Sequence, residues 1–286
     1  MKATTYKIAD LYIRVEYDFS YEMPDGNAID FKVDSTQADF TYYFKKTDHI
    51  QSYLEGAVRL KNTIVYDLIQ TKNYGIIAGF VYENQFYDAV TIYDTNSATI
   101  YYIDENTLLK RYQTGYNYFN YLCLERMFPL FDALVLHSSH MDIGNKALLF
   151  SAPSQGGKST QAGLWESQGL CKVINGDRSV LRKINGVWYA CGCPMCGTSG
   201  IHVNSLEPMI GLVMLEKGLN NTLTRLTGRR AFMEVYPQIT TPTELSELVN
   251  KNLDLLSQFM EEIPIYYYSC TKEVEAVYTL KEKLGV

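Results

Sequence analysis

One stretch near the middle of the chain restricts the possible folds more than any other. Residues 147–160 have the sequence ALLFSAPSQGGKST, an apolar run that leads into a loop of small residues and then into helix-forming sequence. The apolar run predicts a short buried strand. The glycines allow the loop to turn its backbone N–H groups inward around an anion, and the positive end of the following helix points to the same place. Together these features predict an α/β domain that binds phosphate.

The loop is close to the P-loop pattern G-x-x-x-x-G-K-[ST], which binds nucleoside triphosphates. Lys158 supplies a mobile positive charge for the β- and γ-phosphates of ATP, and Ser159 offers a hydroxyl to Mg²⁺. Ala152 stands where the pattern has its first glycine, and it fits there if its φ is negative. An ordinary strand-to-helix turn is the alternative, which the Gly-Gly-Lys-Ser sequence disfavours. The predicted ATP-binding residues are Ser154, Gln155, Gly156, Gly157, Lys158, Ser159 and Thr160.

The composition is that of a globular protein with a full core, because 47% of the 286 residues are hydrophobic and 20% are charged. That length suits one large domain or two smaller ones. The net charge of −6 argues against a nucleic-acid partner, which needs a concentration of lysine and arginine. No apolar run approaches the ~18 residues of a membrane span, and the N-terminus shows no signal-peptide apolar segment. We therefore expect a cytoplasmic protein without membrane contact, and the sequence leaves a homo-oligomer open.

Residues 1–115 are predicted to form a β-rich N-terminal domain. Tyrosine is concentrated in its strand-like segments, which suits a sheet with one solvated face. A peptide-binding face is the alternative, and it would make this domain the part that recognises an acceptor. The segments with strand-like alternation are residues 7–17, 38–44, 56–60, 74–82, 89–93 and 98–103.

A nearly continuous apolar segment, residues 116–131, predicts a buried helix that connects the two domains. The second domain then spans residues 116–286. Asn185 and Gly186 form a strong hairpin signal, because both turn positions favour a positive φ. Residues 241–244 predict the start of a helix, with Pro at its first position. The other predicted elements are strands at 133–138, 146–151, 171–177, 209–215 and 263–268 and a closing helix at 272–284.

The cysteines are interpreted mainly as core residues. Cys191, Cys193 and Cys196 form the cluster C-G-C-P-M-C, which could hold a metal ion if a fourth ligand came from elsewhere. Zinc sites more often contain paired C-x-x-C units, and the chain has no second pair. We therefore expect this cluster to hold no metal and to shape a loop near the acceptor.

Residues 137–159 resemble the kinase core of HPr kinase/phosphorylase, whose P-loop fold is shared with the ATP-dependent phosphoenolpyruvate carboxykinases. In that family a histidine-led strand and a following aspartate come before the strand that enters the P-loop. The corresponding residues here are His137 and Asp142. Residues 173–181 resemble the family's acidic motif, in which an aspartate at a strand end, here Asp177, reaches the metal and the substrate hydroxyl. Residues 192–200 resemble a segment of HPr-kinase-like proteins from peptide-modification clusters.

The resemblance covers residues 133–286 and implies that an HPr-kinase-like P-loop core follows the β-rich domain in the sequence. The chain departs from the family where HPr kinases and the carboxykinases have two adjacent aspartates, because here the pair is Gly176 and Asp177. The N-terminal domain shows no resemblance of this kind. The chain is similar to a divergent member of the family, so its substrate need not be HPr.

The function that these residues predict is transfer of the γ-phosphate of ATP to a hydroxyl, most often that of serine, on a protein or peptide acceptor. Asp177 is the expected general base, with Lys158 on the phosphates and His137 orienting Asp177 or the acceptor. Ser159 and Asp177 are the expected Mg²⁺ ligands. A nucleotide-binding module that regulates a partner without transfer is one alternative, and a kinase of small metabolites is a weaker one. His140 and Asp142 are secondary site candidates, and Arg178 either steadies the phosphate or forms a surface ion pair.

Overall fold

The computed structural model describes residues 1–63, 66–81, 87–112 and 122–286, which form a mixed α/β fold as predicted. The chain divides into two compact units. Unit 1 comprises Met1–Leu124 and Thr243–Ser246, and unit 2 comprises Glu125–Pro242 and Glu247–Val286. The predicted domain boundary between residues 115 and 116 lies outside the described residues. Among the described helices, none is both long and apolar enough to cross a bilayer.

Unit 1 is β-rich and is built on one nine-stranded sheet in the order β3-β1-β2-β4-β9-β8-β7-β6-β5. Most neighbouring strands are antiparallel, but β4 is parallel to both β2 and β9. The strands are β1 (Lys2–Ile8), β2 (Leu11–Tyr17), β3 (Lys32–Val33), β4 (Phe40–Lys46), β5 (Val58–Asn62), β6 (Asp67–Thr71), β7 (Gly75–Val81), β8 (Tyr87–Tyr93) and β9 (Ser97–Tyr102), and helix α1 (Glu105–Tyr112) follows them.

Residues 7–17 form parts of two strands, which corrects the prediction of a single strand there. Strand β1 pairs with β2 around a tight turn in which Ala9 and Asp10 have φ values of 54° and 60°. Aspartate tolerates this left-handed conformation but alanine rarely adopts it, so the pair lacks the usual sequence signal of a hairpin. Strand β6 was also not predicted from the sequence.

Unit 2 contains eight strands and five helices in its described residues. The strands are β10 (Ala133–Asp142), β11 (Ala147–Ser151), β12 (Lys172–Asn175), β13 (Arg178–Ile184), β14 (Val187–Cys191), β15 (Leu206–Lys217), β16 (Thr222–Leu226) and β17 (Ile265–Cys270). The helices are α2 (Leu124–Met127), α3 (Lys158–Ser167), α4 (Gly228–Val235), α5 (Ser246–Glu262) and α6 (Val274–Leu284).

The two longest strands of unit 2, β10 and β15, each pair with different partners along their length. Strand β10 pairs with β13 over its first half and with β11 over its second half. Strand β15 pairs with β14 near its start and then runs parallel to β11 and β17. The carboxyl ends of β11, β15 and β17 therefore lie at one edge of the sheet, where α/β proteins bind their ligands.

Strand β11 lies between two hydrophobic clusters, which explains why all five of its residues are apolar or small. Leu149 packs into one cluster with Leu136 and Leu212. Phe150 packs into the other cluster with Trp165, which anchors α3 against this face of the sheet. A strand that is buried on both faces shows a continuous apolar run instead of alternation.

Three sequence predictions for unit 2 need correction. Helix α5 begins at Ser246 and not within residues 241–244. Strand β16 and helix α4 were not predicted. The predicted helix at 116–131 lies outside the described residues as far as residue 121, and its described part is not one helix. Cys123 has a φ of 54°, Leu124–Met127 form α2 and Phe128–Phe131 form a 3₁₀ turn. Pro129 lacks the N–H group that a continuing α-helix would use.

The hairpin between β13 and β14 forms as predicted, and it provides a test of the backbone geometry. Gly186 has a φ of 82°, whereas Gly163 of α3 does not have a positive φ, and a Cβ added at either position would meet no atom within 4 Å.

Alanine should therefore have opposite effects at the two glycines. Gly186→Ala should destabilise the protein by about 1 kcal/mol because of left-handed strain, and Gly163→Ala should stabilise it by up to about 1 kcal/mol through helix propensity. Thermal unfolding of both variants checks this, and equal effects would contradict the geometry.

Candidate functional site

The loop between β11 and α3 has the backbone shape of an anion-binding turn. Gln155 and Gly157 adopt positive φ values of 63° and 100°, which rotates successive N–H groups of the loop. Ala152 is not among the residues with positive φ, so alanine is compatible with the first position of the pattern. Gly157 is also the N-cap of the ten-residue helix α3, whose unsatisfied N–H groups face the same loop.

Gly156 has no room for a side chain. A Cβ built at this position would lie 2.5 Å from the Cβ of Ala152 and 2.9 Å from the carbonyl oxygen of Pro153. The N–H of Gly156 donates a hydrogen bond to that same carbonyl over 2.9 Å, which closes the loop. A side chain here would fill the cradle, so the loop fits a phosphate group approached by backbone alone.

Lys158 is only 7% exposed although it carries an ammonium group. Its Nζ donates one hydrogen bond to the carbonyl oxygen of Ala152 over 3.0 Å, and an ammonium has three donors. Burial lowers the pKa of Lys158 below its usual value, and the negative charge of Asp177 opposes that shift. The side chain is therefore a desolvated cation whose remaining donors suit an anionic ligand.

Asp177 lies between two cationic or potentially cationic side chains. Its Oδ1 is 3.5 Å from Nε2 of His137, and its Oδ2 is 3.5 Å from Nε of Arg178. The hydrogen bond from His137 lowers the pKa of Asp177; burial opposes this effect, and the charges of Arg178 and Lys158 add to the lowering. The carboxylate is thus held ionised, half-buried and electrostatically coupled to the lysine of the loop.

Two polar residues from a distant part of the chain support these partners. Gln238 has its Oε1 3.2 Å from Nδ1 of His137, and Thr240 accepts a hydrogen bond from Nη1 of Arg178 over 2.9 Å. With its Nε2 protonated, the imidazole of His137 donates to Asp177, and its Nδ1 is then an acceptor that pairs with Gln238 when that amide presents its NH₂ group to the ring. Since each partner of the carboxylate is itself fixed from its other side, the orientation of Asp177 is well defined.

The position of His137 follows from the change of partner along β10. His137 is the last residue of this strand to pair with β13, opposite Arg178, and Ser138 is the first to pair with β11, opposite Ser151. The hydroxyl of Ser151 donates to the carbonyl oxygen of His137 over 2.7 Å, and the N–H of Ser138 donates to the carbonyl oxygen of Asp177 over 3.0 Å. The end of β11 and the turn that contains Asp177 are thereby hydrogen-bonded to adjacent residues of β10.

Asn175 is fully buried and connects the turn at Asp177 to the cysteine segment, residues 191–197. Its Oδ1 accepts hydrogen bonds from the N–H groups of Asp177 and Arg178, each over 2.9 Å. Its Nδ2 donates to the carbonyl oxygens of Cys193 and Met195 over 2.9 and 3.0 Å. One amide side chain therefore fixes residues 193–195 beside the turn that carries the carboxylate.

The cysteine segment continues into a close contact with Asp177. Gly197 has a φ of 54°, and a Cβ there would lie 2.8 Å from Cγ of Asp177, so any larger residue would displace the carboxylate. Burial raises the pKa of the Cys193 thiol to about 12, which disfavours the thiolate that a metal ion would need. Among the described residues no group of three or more His, Cys, Asp or Glu side chains is arranged to hold a metal ion.

The remaining predicted site residues lie either in the core, in a turn, or exposed on the loop. His140 lies three residues beyond His137 on β10, and it is fully buried with its Nε2 3.1 Å from Oε2 of Glu207. Asp142 accepts the N–H of Asn145 over 2.7 Å in the turn after β10, which is a structural contact. The polar residues predicted to bind the triphosphate are exposed in the loop and the first turn of α3, and they are Ser154, Gln155, Ser159 and Thr160.

Sequence reasoning did not find Gln238, Thr240, Asn175 or the steric role of Gly197. Gln238 lies 101 residues from its partner His137, and no local pattern identifies such a contact. Asn175 did carry a weak signal, because it is a polar residue that ends an apolar strand immediately before a Gly-Asp turn.

Comparisons with known proteins show a distant structural likeness. No protein-family model matches the chain, and no curated protein matches it. Among solved structures it is similar to the Hpr(Ser) kinase/phosphatase from Coxiella burnetii, with 12% sequence identity and a TM-score of 0.30. The match covers 53% of this chain and 99% of that chain. Because this likeness is distant and concerns the fold, the chemistry of the site has to be argued from its own residues.

The lowered pKa of Asp177 predicts a pH-dependent contribution to stability. A carboxylate with a lowered pKa stabilises the folded state above the ordinary pKa of about 3.9, and this contribution is lost as the pH falls through the lowered value. Urea denaturation should therefore show that Asp177→Asn costs most above about pH 5 and progressively less below about pH 4. Asp254→Asn, which changes an exposed aspartate of α5, is the control. A cost of Asp177→Asn that is constant across this range would contradict the assignment.

Proposed function

We propose that the protein is an ATP-dependent kinase that phosphorylates a hydroxyl, most often of serine, on a protein or peptide. The observation that supports this best is the coupling of two groups that phosphoryl transfer requires. A buried lysine sits in the glycine-rich loop after β11, and Asp177, held by His137 and Arg178, lies in a turn that is hydrogen-bonded to the same stretch of β10 as the end of β11. Burying a charge is costly without compensation, and an anionic ligand at the loop would supply that compensation for Lys158.

The residues of the loop would bind the phosphates of ATP. The backbone N–H groups of Gly157 and of the first turn of α3 would hold the phosphate oxygens, and Lys158 would turn from Ala152 to the β- and γ-phosphates. Mg²⁺, when bound, would neutralise charge on these phosphates. Ser159 and Asp177 would be its protein ligands, because hydroxyl and carboxylate oxygens suit this hard cation.

Asp177 would act as the general base toward the acceptor. The acceptor oxygen forms a bond to the γ-phosphorus as the bond from that phosphorus to the β-phosphate oxygen breaks, and the electron pair of the broken bond leaves with ADP. The hydroxyl proton passes to the carboxylate of Asp177. His137 would keep the carboxylate oriented, and Arg178 would stabilise negative charge on the transferred group.

A nucleotide-binding module without transfer activity is the second candidate, and one observation favours it. HPr kinases have a further aspartate at the position of Gly176, but a Cβ there would lie 2.6 Å from Oγ of Ser199. An aspartate at position 176 would therefore displace the side chain of Ser199. In the kinase proposal, His137 offsets the absence of a second aspartate, because it binds the carboxylate of Asp177 directly.

A transfer assay with three variants tests the proposal. The protein is incubated with labelled ATP, Mg²⁺ and the proteins or peptides encoded beside it, and mass spectrometry detects an added phosphoryl group. Asp177→Asn preserves shape and removes the base, so transfer should fall on the order of 10²-fold or more while nucleotide binding persists. Lys158→Met keeps the apolar stem and should abolish the increase in Tm that ATP causes in the wild type.

Asp142→Asn provides the matched control, because Asp142 has its contact in a turn after β10. This variant should transfer phosphate at nearly the wild-type rate. Normal turnover in Asp177→Asn would exclude the proposed base. Nucleotide binding without any transfer, in the wild type and with every acceptor, would support the binding module instead.

A further inference from the structure

A short turn of unit 2 carries two side-chain hydroxyls that the proposed reaction does not use. Gly197–Ser199 form one turn of 3₁₀ helix, and both Thr198 and Ser199 in it are exposed. Glycines in the left-handed conformation flank these two residues, since Gly197 has a φ of 54° and Gly200 has a φ of 67°. The chain therefore turns sharply on both sides of the hydroxyls and leaves them open to ligands.

Both sides of this turn are fastened to β12, the strand that leads to Asp177. Before the turn, the amide side chain of Asn175 holds the backbone of residues 193–195. After the turn, the N–H of Val203 donates to the carbonyl oxygen of Ile174 over 3.0 Å. These hydrogen bonds fix the position of the turn relative to the carboxylate.

The turn contacts the residue that carries the proposed base and the residue before it. Gly197 packs so closely on Asp177 that a Cβ added at Gly197 would lie 2.8 Å from Cγ of the aspartate. Ser199 packs on Gly176, and its Oγ would lie 2.6 Å from a Cβ added there. The hydroxyl of Ser199 is therefore held beside the backbone that bears the carboxylate.

The bonds that hold the hydroxyl of Ser199 are easily exchanged. Its Oγ donates to the carbonyl oxygen of Cys196 over 2.9 Å and accepts the N–H of Ile201 over 3.4 Å. A hydrogen bond between neutral groups contributes only about 1 kcal/mol net. The O–H group of this exposed serine can therefore turn from Cys196 to another acceptor at little cost.

The groups around Ser199 suit a transferring phosphate. The turn at Asp177 and the end of β11 are hydrogen-bonded to adjacent residues of β10, so ATP in the glycine-rich loop would direct its γ-phosphate toward Asp177. Arg178 pairs with Asp177 through Nε and donates from Nη1 to Thr240, and its guanidinium has further N–H donors for phosphate oxygens. An acceptor that the fold already holds in place needs little further loss of entropy to react.

We propose that Ser199 is an internal phosphate acceptor, so that the protein phosphorylates this serine within a single chain. Oγ of Ser199 forms a bond to the γ-phosphorus of ATP as the bond from that phosphorus to the β-phosphate oxygen breaks. The electron pair of the broken bond leaves with ADP, and the hydroxyl proton passes to the carboxylate of Asp177. This inference rests on the proposed function, because the same loop and the same base carry out the transfer.

Mass spectrometry of the full chain, incubated with ATP and Mg²⁺ but with no added acceptor, tests this proposal. The wild type should gain one phosphoryl group, which fragmentation locates at Ser199. Dilution of the protein by about tenfold should leave the fraction modified per minute unchanged, because the step is intramolecular. Ser199→Ala should abolish the modification, and Ser199→Thr should restore it at the same position. Ser205→Ala is the matched control, since the hydroxyl of Ser205 donates to Glu207, and it should be modified like the wild type.

A second incubation, with an external protein or peptide acceptor, separates this inference from the proposed function. Ser199→Ala retains Lys158 and Asp177, so it should still phosphorylate an acceptor that the wild type phosphorylates. A wild type that labels the acceptor but not Ser199, or a label that survives Ser199→Ala, would overturn the internal acceptor and leave the kinase proposal intact. A labelling rate of Ser199 that falls in proportion to dilution would contradict transfer within one chain. The absence of label on both the protein and every acceptor would refute the kinase proposal itself.

Discussion

The change of partner along β10 is the constraint on which the rest of the site depends. At His137 this strand stops pairing with β13, and at Ser138 it begins pairing with β11. Strand β13 begins beside Asp177 and β11 ends at the glycine-rich loop, so adjacent residues of β10 join the two halves of the candidate site.

The loop itself shows how a small departure from a motif is accommodated. Ala152 replaces a glycine without needing a positive φ, but its methyl group then occupies the space beside Gly156. This makes Gly156 more restricted, since a Cβ there would meet that methyl group. The shape of the loop is preserved, and Lys158 is buried with its Nζ bonded to the carbonyl group of Ala152.

The parts of the site that were predictable from the sequence are those encoded by local patterns. The apolar run before the loop, the glycines and the lysine are adjacent in sequence, so the strand, turn and helix were predicted with nearly correct bounds. The sequence analysis left His137 to orient either Asp177 or the acceptor, and the structure places Nε2 of His137 3.5 Å from Oδ1 of Asp177. Their catalytic roles remain predictions.

The parts that escaped prediction depend on contacts between distant segments. Gln238 reaches His137 because residues 239 and 240 contact β10 through the Leu136–Ile239 bridge and the N–H of Thr240, and the sequence around residue 238 contains no sign of that pairing. The hairpin at Ala9 and Asp10 was missed because its residues are unusual for the conformation that they adopt.

The central claim is that a nucleoside triphosphate binds at the loop and comes next to Asp177. Backbone amide chemical shifts measured by NMR during titration with a non-hydrolysable ATP analogue and Mg²⁺ test it most directly. The account predicts that the largest changes occur at the amides of residues 154–159, with further changes at Asp177 and Arg178, and that Lys158→Met suppresses them. Unchanged loop amides, together with shifts confined to the residues of unit 1, would contradict it.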